Sequence, residues 1–149
     1  MPLAEGEIGE FAGAGGVEYT GVSSCLTVTC KIAGPPDTYV GGHLSLQVPS
    51  GKLDSSKVLP EMRRLIGGRT IEKVHLAGVL DQWSSKYFEV PLFTGAGAAA
   101  KQNYDPLPQV TEANALKWAV VGALLNYDED APVPPTTTET RRGGFKIAL

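Results

Sequence analysis

From Cys25 to Ile32 the chain alternates strictly: Leu26, Val28, Cys30 and Ile32 form one set, and Cys25, Thr27, Thr29 and Lys31 the other. A period of two marks a half-buried strand, because successive side chains leave opposite faces. Gly34-Pro35-Pro36-Asp37 then breaks the chain. Neither proline can donate to a ladder, and Gly and Asp favour turns. After Gly41-Gly42 the alternation resumes, with Leu44, Leu46 and Val48 on one side and His43, Ser45 and Gln47 on the other. Two strands joined by a proline-marked loop, each turning its even-numbered face to the core, are the frame that any fold of this chain must contain.

The flanking segments extend that frame. Residues 1–16 carry Gly13, Gly15 and Gly16 with little apolar periodicity and read as an irregular lead-in, the strand pattern starting at Val17. Pro49-Ser50-Gly51 ends the second run, and Asp54-Ser55-Ser56 offers N-cap chemistry for a helix from Ser56 to Ile66. Its apolar face is Val58, Met62, Leu65 and Ile66, and Gly67-Gly68 stops it. Ile71 to Leu80 is predicted as a strand with Val74, Leu76 and Leu80 inward. Asp81 can cap a short helical turn through Trp83 and Tyr87, and Gly95 to Pro108 reads as a long surface excursion. Thr111 to Asn126 suits a helix or a buried strand, Pro132 to Thr138 is loop-like, and Phe145 to Leu149 is expected to close the sheet. The pattern predicts an α/β or α+β fold: a mixed sheet or sandwich-like core with one or two packed helices. Its 149 residues suit a single domain.

Composition excludes several functions. A net charge of −3, with basic pairs only at Arg63-Arg64 and Arg141-Arg142, gives no electrostatic footprint for nucleic acid. No apolar run approaches the ~20 residues of a membrane span. The acidic stretch Met1 to Glu7 lacks the basic and apolar regions of a secretory signal, so a cytoplasmic protein, or one exported without a cleaved signal, is expected. Cys25 and Cys30 stand at an odd spacing on one strand, which points them to opposite faces and argues against a mutual disulfide. Free thiols fit a reducing compartment.

The faces also single out a reactive residue. Cys30 shares the apolar side, whereas Cys25 lies on the Thr27 and Thr29 side at the start of its strand, after Gly21-Val22-Ser23-Ser24. A thiol becomes nucleophilic when it is partly exposed, close to a base, and beside amides that lower its pKa and hold an oxyanion. The chain has two histidines, His43 and His75, and both alternate away from the apolar face. His43 is preferred because the two glycines before it allow close approach. Other motifs lack their context. Gly95-Ala96-Gly97 is followed by Pro106 before any helix, Ser50-Gly51-Lys52 is not a phosphate loop, and the Cys and His spacing fits no standard zinc site. No metal or organic cofactor is expected.

The string Gly21-Val22-Ser23-Ser24-Cys25-Leu26-Thr27-Val28-Thr29-Cys30, followed by Gly41-Gly42-His43-Leu44-Ser45-Leu46 and Pro49, resembles the chemotaxis-receptor glutamine deamidases. It is also similar to the catalytic core of cytotoxic-necrotizing-factor-type and Burkholderia lethal-factor-type toxins. The resemblance spans roughly Val17 to Val48, and the His directly after Gly-Gly departs from the family spacing. It implies Cys25 as nucleophile and His43 as base. Thr20 or a backbone carbonyl would orient the imidazole, amides near Ser24 and Cys25 would form the oxyanion site, and the substrate would be a protein presenting a glutamine. A cysteine peptidase or amidase keeps the same pair, and a non-enzymatic interaction module leaves Cys25 incidental. The pairing makes one geometric demand. A tight hairpin centred near Pro36 sets His43 opposite Thr29, about 13 Å along the strand from Cys25, so a bulge at Gly41-Gly42 or a loop doubling back is required.

Overall fold

The computed structural model describes residues 2–45, 55–80, 83, 120–126 and 134–149. They form β1 (Ile8–Ala12), β2 (Val17–Val22), β3 (Leu26–Ile32), β4 (Thr38–Leu44), α1 (Ser55–Ile66), β5 (Ile71–Gly78), β6 (Thr136–Thr140) and β7 (Gly143–Ile147), with a helical segment at 120–124. Five strands make one sheet in the order β1-β4-β3-β5-β6, and β2 and β7 make a separate antiparallel pair. Of the neighbouring strand pairs described in the large sheet, β5–β6 is parallel and the others are antiparallel. The fold is α+β with a mixed sheet, as the alternation and the helix pattern predict.

The hairpin at its centre is tight. Ile32 pairs with Thr38 and the ladder runs to Leu26 opposite Leu44. Because β4 and β5 both run antiparallel to β3, they are parallel to each other, and α1, in the connection between them, lies against β4 and β1. Val58, Leu59, Met62 and Ile66 of α1 pack with Leu26, Val28, Val40, Leu44, Val74 and Leu76, which confirms the even-numbered face as core. Arg63 and Arg64 in the last turn favour the negative end of the helix dipole, and Gly67, with φ 65°, closes the helix through its N–H to the Arg63 carbonyl at 3.0 Å. The proposed cap Asp54, the run from Leu46 to Val48, and the excursion from Gly95 to Pro108 lie outside the described residues.

The opposite face of the sheet corrects the half-buried reading. β2 and β7 lie across it, so Cys25, Thr27, Thr29 and His43 are all fully buried rather than turned to solvent. Val17, Tyr19, Phe145 and Ile147 of this pair cover Cys25, Tyr39 and Ala77. The C-terminal strand thus caps the sheet instead of extending it. Two further strands stand where loops are predicted. β1 emerges from the lead-in and pairs with β4, while β6 occupies the end of the segment from Pro132 to Thr138 and pairs with β5. Both are sheet edges with little buried apolar surface, and Thr136–Thr140 contains no apolar residue, so periodicity has nothing to report there. Among the described residues no helix is long and apolar enough to cross a membrane.

Gly41 and Gly42 let the two covering layers approach β4. A Cβ at Gly41 would meet the Tyr19 hydroxyl and Val17, and one at Gly42 would meet Met62 Sδ and Val58 of α1. Gly42→Ala therefore overpacks the helix side and is expected to lower stability by about 1–3 kcal/mol. Urea unfolding checks this as a lower midpoint with an unchanged slope.

Candidate functional site

Cys25 immediately precedes β3, and the β3–β4 register decides what lies near it. Thr27 pairs with His43, not Thr29, because the hairpin is centred on Pro35 rather than Pro36. His43 is thereby brought two residues closer to Cys25 than a hairpin centred on Pro36 would bring it, and no bulge interrupts this ladder. Cys25 and His43 share one sheet face as diagonal neighbours, a relation that spans about 7–8 Å between backbones and less between side chains.

The N-terminal segment then crosses this face. Leu3 is tied to β2, its N–H donating to Glu18 O at 2.8 Å and its carbonyl accepting from Thr20 N at 3.1 Å. Farther on, Gly6 N donates to His43 O at 2.8 Å and His43 N donates to Glu7 O at 3.0 Å. Between these anchors the Leu3 carbonyl accepts a hydrogen bond from His43 Nδ1 at 2.9 Å. A carbonyl only accepts, so Nδ1 carries the ring proton of a neutral imidazole and Nε2 holds the lone pair. Nε2 is buried and has no hydrogen-bond partner in the structure. The edge of the Tyr19 ring, 6.1 Å away between centroids, helps fix the imidazole plane.

The orienting group is therefore the Leu3 carbonyl. Thr20 contributes its backbone N–H to the same oxygen, and its side chain is exposed. His75 is engaged elsewhere, with Nδ1 2.6 Å from Thr137 Oγ1 and Nε2 2.8 Å from Glu139 Oε1, and it lies opposite Thr29. Cys30 is sealed in the helix-side core, where burial pushes its thiol up to about 12. Both cysteines are free.

Around the sulfur the structure differs from the expectation of a partly exposed, low-pKa thiol. Burial, then the hydrogen bond to Glu5 and its charge, hold the Cys25 thiol above its ordinary value, while the backbone N–H groups of Ser23 and Ser24 oppose the rise. The S–H donates to Glu5 Oε1 at 3.4 Å. The amides facing the sulfur are thus those of Ser23 and Ser24, one residue before the Ser24 and Cys25 positions the sequence suggested. The turn is held from behind, Trp83 Nε1 donating to Ser24 O at 2.9 Å and Val79 N to Cys25 O at 3.1 Å. Gly78, at φ 153°, is what lets β5 pass this close, since a Cβ there would strike the Cys25 carbonyl. Burial likewise lowers the His43 pKa, against the Leu3 hydrogen bond and the charges of Glu5 and Glu7. At rest the pair is a neutral thiol and a neutral imidazole.

Leu3, Glu5 and Trp83 were not legible as site residues. Leu3 acts through its backbone, and Glu5 looks like one acid among several in the lead-in. Neither the comparison with protein-family models nor that with curated proteins finds a match for the chain.

The depressed His43 pKa has a consequence for stability. The unfolded chain takes up a proton near the ordinary imidazole value of 6.5 while the folded imidazole resists it, so this contribution is present above that pH and lost as pH falls through the folded value. His43→Asn keeps a donor for the Leu3 carbonyl without the titration. Urea midpoints measured at pH 7.5 and 5.5 are expected to fall further for the wild type than for His43→Asn.

Proposed function

We propose that the chain is a protein glutamine deamidase in which Cys25 is the nucleophile and His43 the general base. The observation that carries this reading is the Nε2 lone pair of His43: buried, unpartnered, fixed by a carbonyl on Nδ1, and on the same sheet face as a thiol flanked by backbone N–H groups. An orphaned buried acceptor costs free energy and so calls for an explanation, and accepting the Cys25 proton supplies one. The likeness of the Cys25 and His43 segments to the deamidases supports the same assignment.

The chemistry follows from these groups. His43 Nε2 takes the Cys25 proton as sulfur attacks the carboxamide carbon of a glutamine side chain. The Ser23 and Ser24 N–H groups stabilise the oxyanion, and the imidazolium gives its proton to the departing nitrogen, which leaves as ammonia. Water, deprotonated by His43, then attacks the thioester carbon, and the C–S bond breaks to release glutamate and return the thiol. The reaction needs no redox step and no cofactor. Two free thiols suit action in a reducing compartment. Because Cys25 and His43 are both fully buried, the Glu5 side chain must leave the sulfur before a glutamine can reach it.

Intact mass of a glutamine-bearing protein incubated with the chain separates the readings: deamidation exchanges NH for O at each site, whereas a peptidase yields fragments. Cys25→Ala is expected to abolish the mass change, and His43→Ala to reduce its rate by about 10²–10⁴-fold. His43→Ala is also expected to slow alkylation of Cys25 by iodoacetamide. Alkylation unchanged by His43→Ala, with no mass change in any substrate, would return Cys25 to the role of an incidental thiol in an interaction module.

A further inference from the structure

Glu5 is placed at the sulfur by a built turn. Glu7 N donates to Ala4 O at 3.0 Å, and Ala4 N donates to Glu7 Oε1 at 2.7 Å, which closes residues 4–7 on themselves. Gly6 occupies the third position with φ 75°, the conformation that a type II turn asks of that position and glycine grants. One end of the turn is held by Leu3 on β2, and the other is bonded to the backbone of His43. The tip residue, Glu5, is half-buried and puts its Oε1 3.4 Å from Cys25 Sγ. A solvating surface glutamate needs none of these ties.

The sulfur therefore has donors and acceptors on different groups. The Ser23 and Ser24 N–H groups can only donate, the Glu5 carboxylate accepts from the sulfur, and His43 Nε2, on the same sheet face, is an acceptor without a partner. A primary carboxamide matches this set, with its oxygen toward the amides and its NH2 toward the acceptors. A carboxylate does not: its second oxygen brings a lone pair and negative charge against Glu5. Charges this close in a water-poor site repel far more strongly than in bulk solvent.

We propose that Glu5 is the specificity residue of the site, reading the NH2 group of a carboxamide through its carboxylate and rejecting carboxylates. This inference rests on the deamidase reading and deepens it. The group that accepts from the substrate's nitrogen also repels the glutamate released when water hydrolyses the thioester, so product is expelled by the residue that admitted substrate. The same discrimination keeps ordinary glutamate side chains out of the site.

Iodoacetamide and iodoacetate test the idea directly, because they alkylate the same sulfur and differ only as carboxamide and carboxylate. Cys25 alkylation is read by peptide mapping in the folded chain and in the urea-unfolded chain, whose ratio of the two rates serves as reference. In the folded wild type the iodoacetamide-to-iodoacetate ratio is expected to exceed that reference by about tenfold or more. Glu5→Gln, isosteric and half-buried, should bring the ratio to within about twofold of the reference, while Glu5→Asp retains much of the discrimination. A ratio unchanged by Glu5→Gln, or a wild-type ratio equal to the unfolded one, overturns the proposal. His43→Ala reports separately on the parent reading. It should slow both reagents alike and leave the ratio intact; if it changes neither rate, the dyad falls although Glu5 still discriminates.

Discussion

The β3–β4 hairpin is buried on both faces, and everything polar on its second face must find a partner inside the protein. Thr27 gives its hydroxyl hydrogen to the Ala77 carbonyl at 2.7 Å. Tyr19, reaching down from the covering layer, bonds the Val28 carbonyl at 3.0 Å and Thr29 Oγ1 at 2.7 Å. These bonds do more than offset desolvation. The Tyr19 bonds tie the small sheet to the large one, and Gly41 leaves the space in which the Tyr19 hydroxyl sits. With those groups satisfied, the buried side-chain polar atom left without a partner among the described residues is His43 Nε2. A lone unsatisfied acceptor in an otherwise satisfied polar layer marks where the structure forgoes stability for another purpose.

How much of this was written in the sequence depends on whether the signal was local. The even-numbered core of β3, the helix face at Val58 and Met62, and the inward residues Val74 and Leu76 all follow from periodicity, because each element presents its own stripe to one neighbour. The burial of Cys25 was not local. Thr27, Thr29 and His43 look like a solvent face until the β2–β7 pair is laid over them, and that layer is built from segments more than a hundred residues apart in sequence. The Cys25–His43 relation was within reach but turned on one residue: centring the hairpin on Pro35 instead of Pro36 moves His43 two positions along its partner. In a ladder of period two, that shift preserves the face and changes the distance.

Burial on both sides also changes what kind of dyad this can be. A thiolate facing an imidazolium would have to exist as an ion pair in a layer that is almost dry, where desolvation works against both charges. The structure keeps both partners neutral instead, raising the thiol and lowering the imidazole, mainly by burial in each case. On the deamidase reading, such a site stays unreactive until something replaces the Glu5 contact. Specificity then resides in the occupant that can do so, which suits a thiol that must ignore the many other electrophiles of a cell.

The N-terminal segment is where these demands meet. Its Leu3 carbonyl sets the tautomer of His43, its Gly6 and Glu7 backbone groups bond the backbone of the same residue, and its Glu5 side chain holds the proton of Cys25. A single stretch of five residues therefore orients His43, the proposed base, and occupies Cys25, the proposed nucleophile. The two tasks separate by which atoms perform them. The orienting contacts are made by the main chain and are anchored on β2 and β4, whereas the occupying contact is one side chain that rotates about its own bonds. On the proposed deamidase reading, Glu5 can thus give way to a substrate without disturbing the carbonyl that holds the His43 tautomer, so opening the site would not dismantle it.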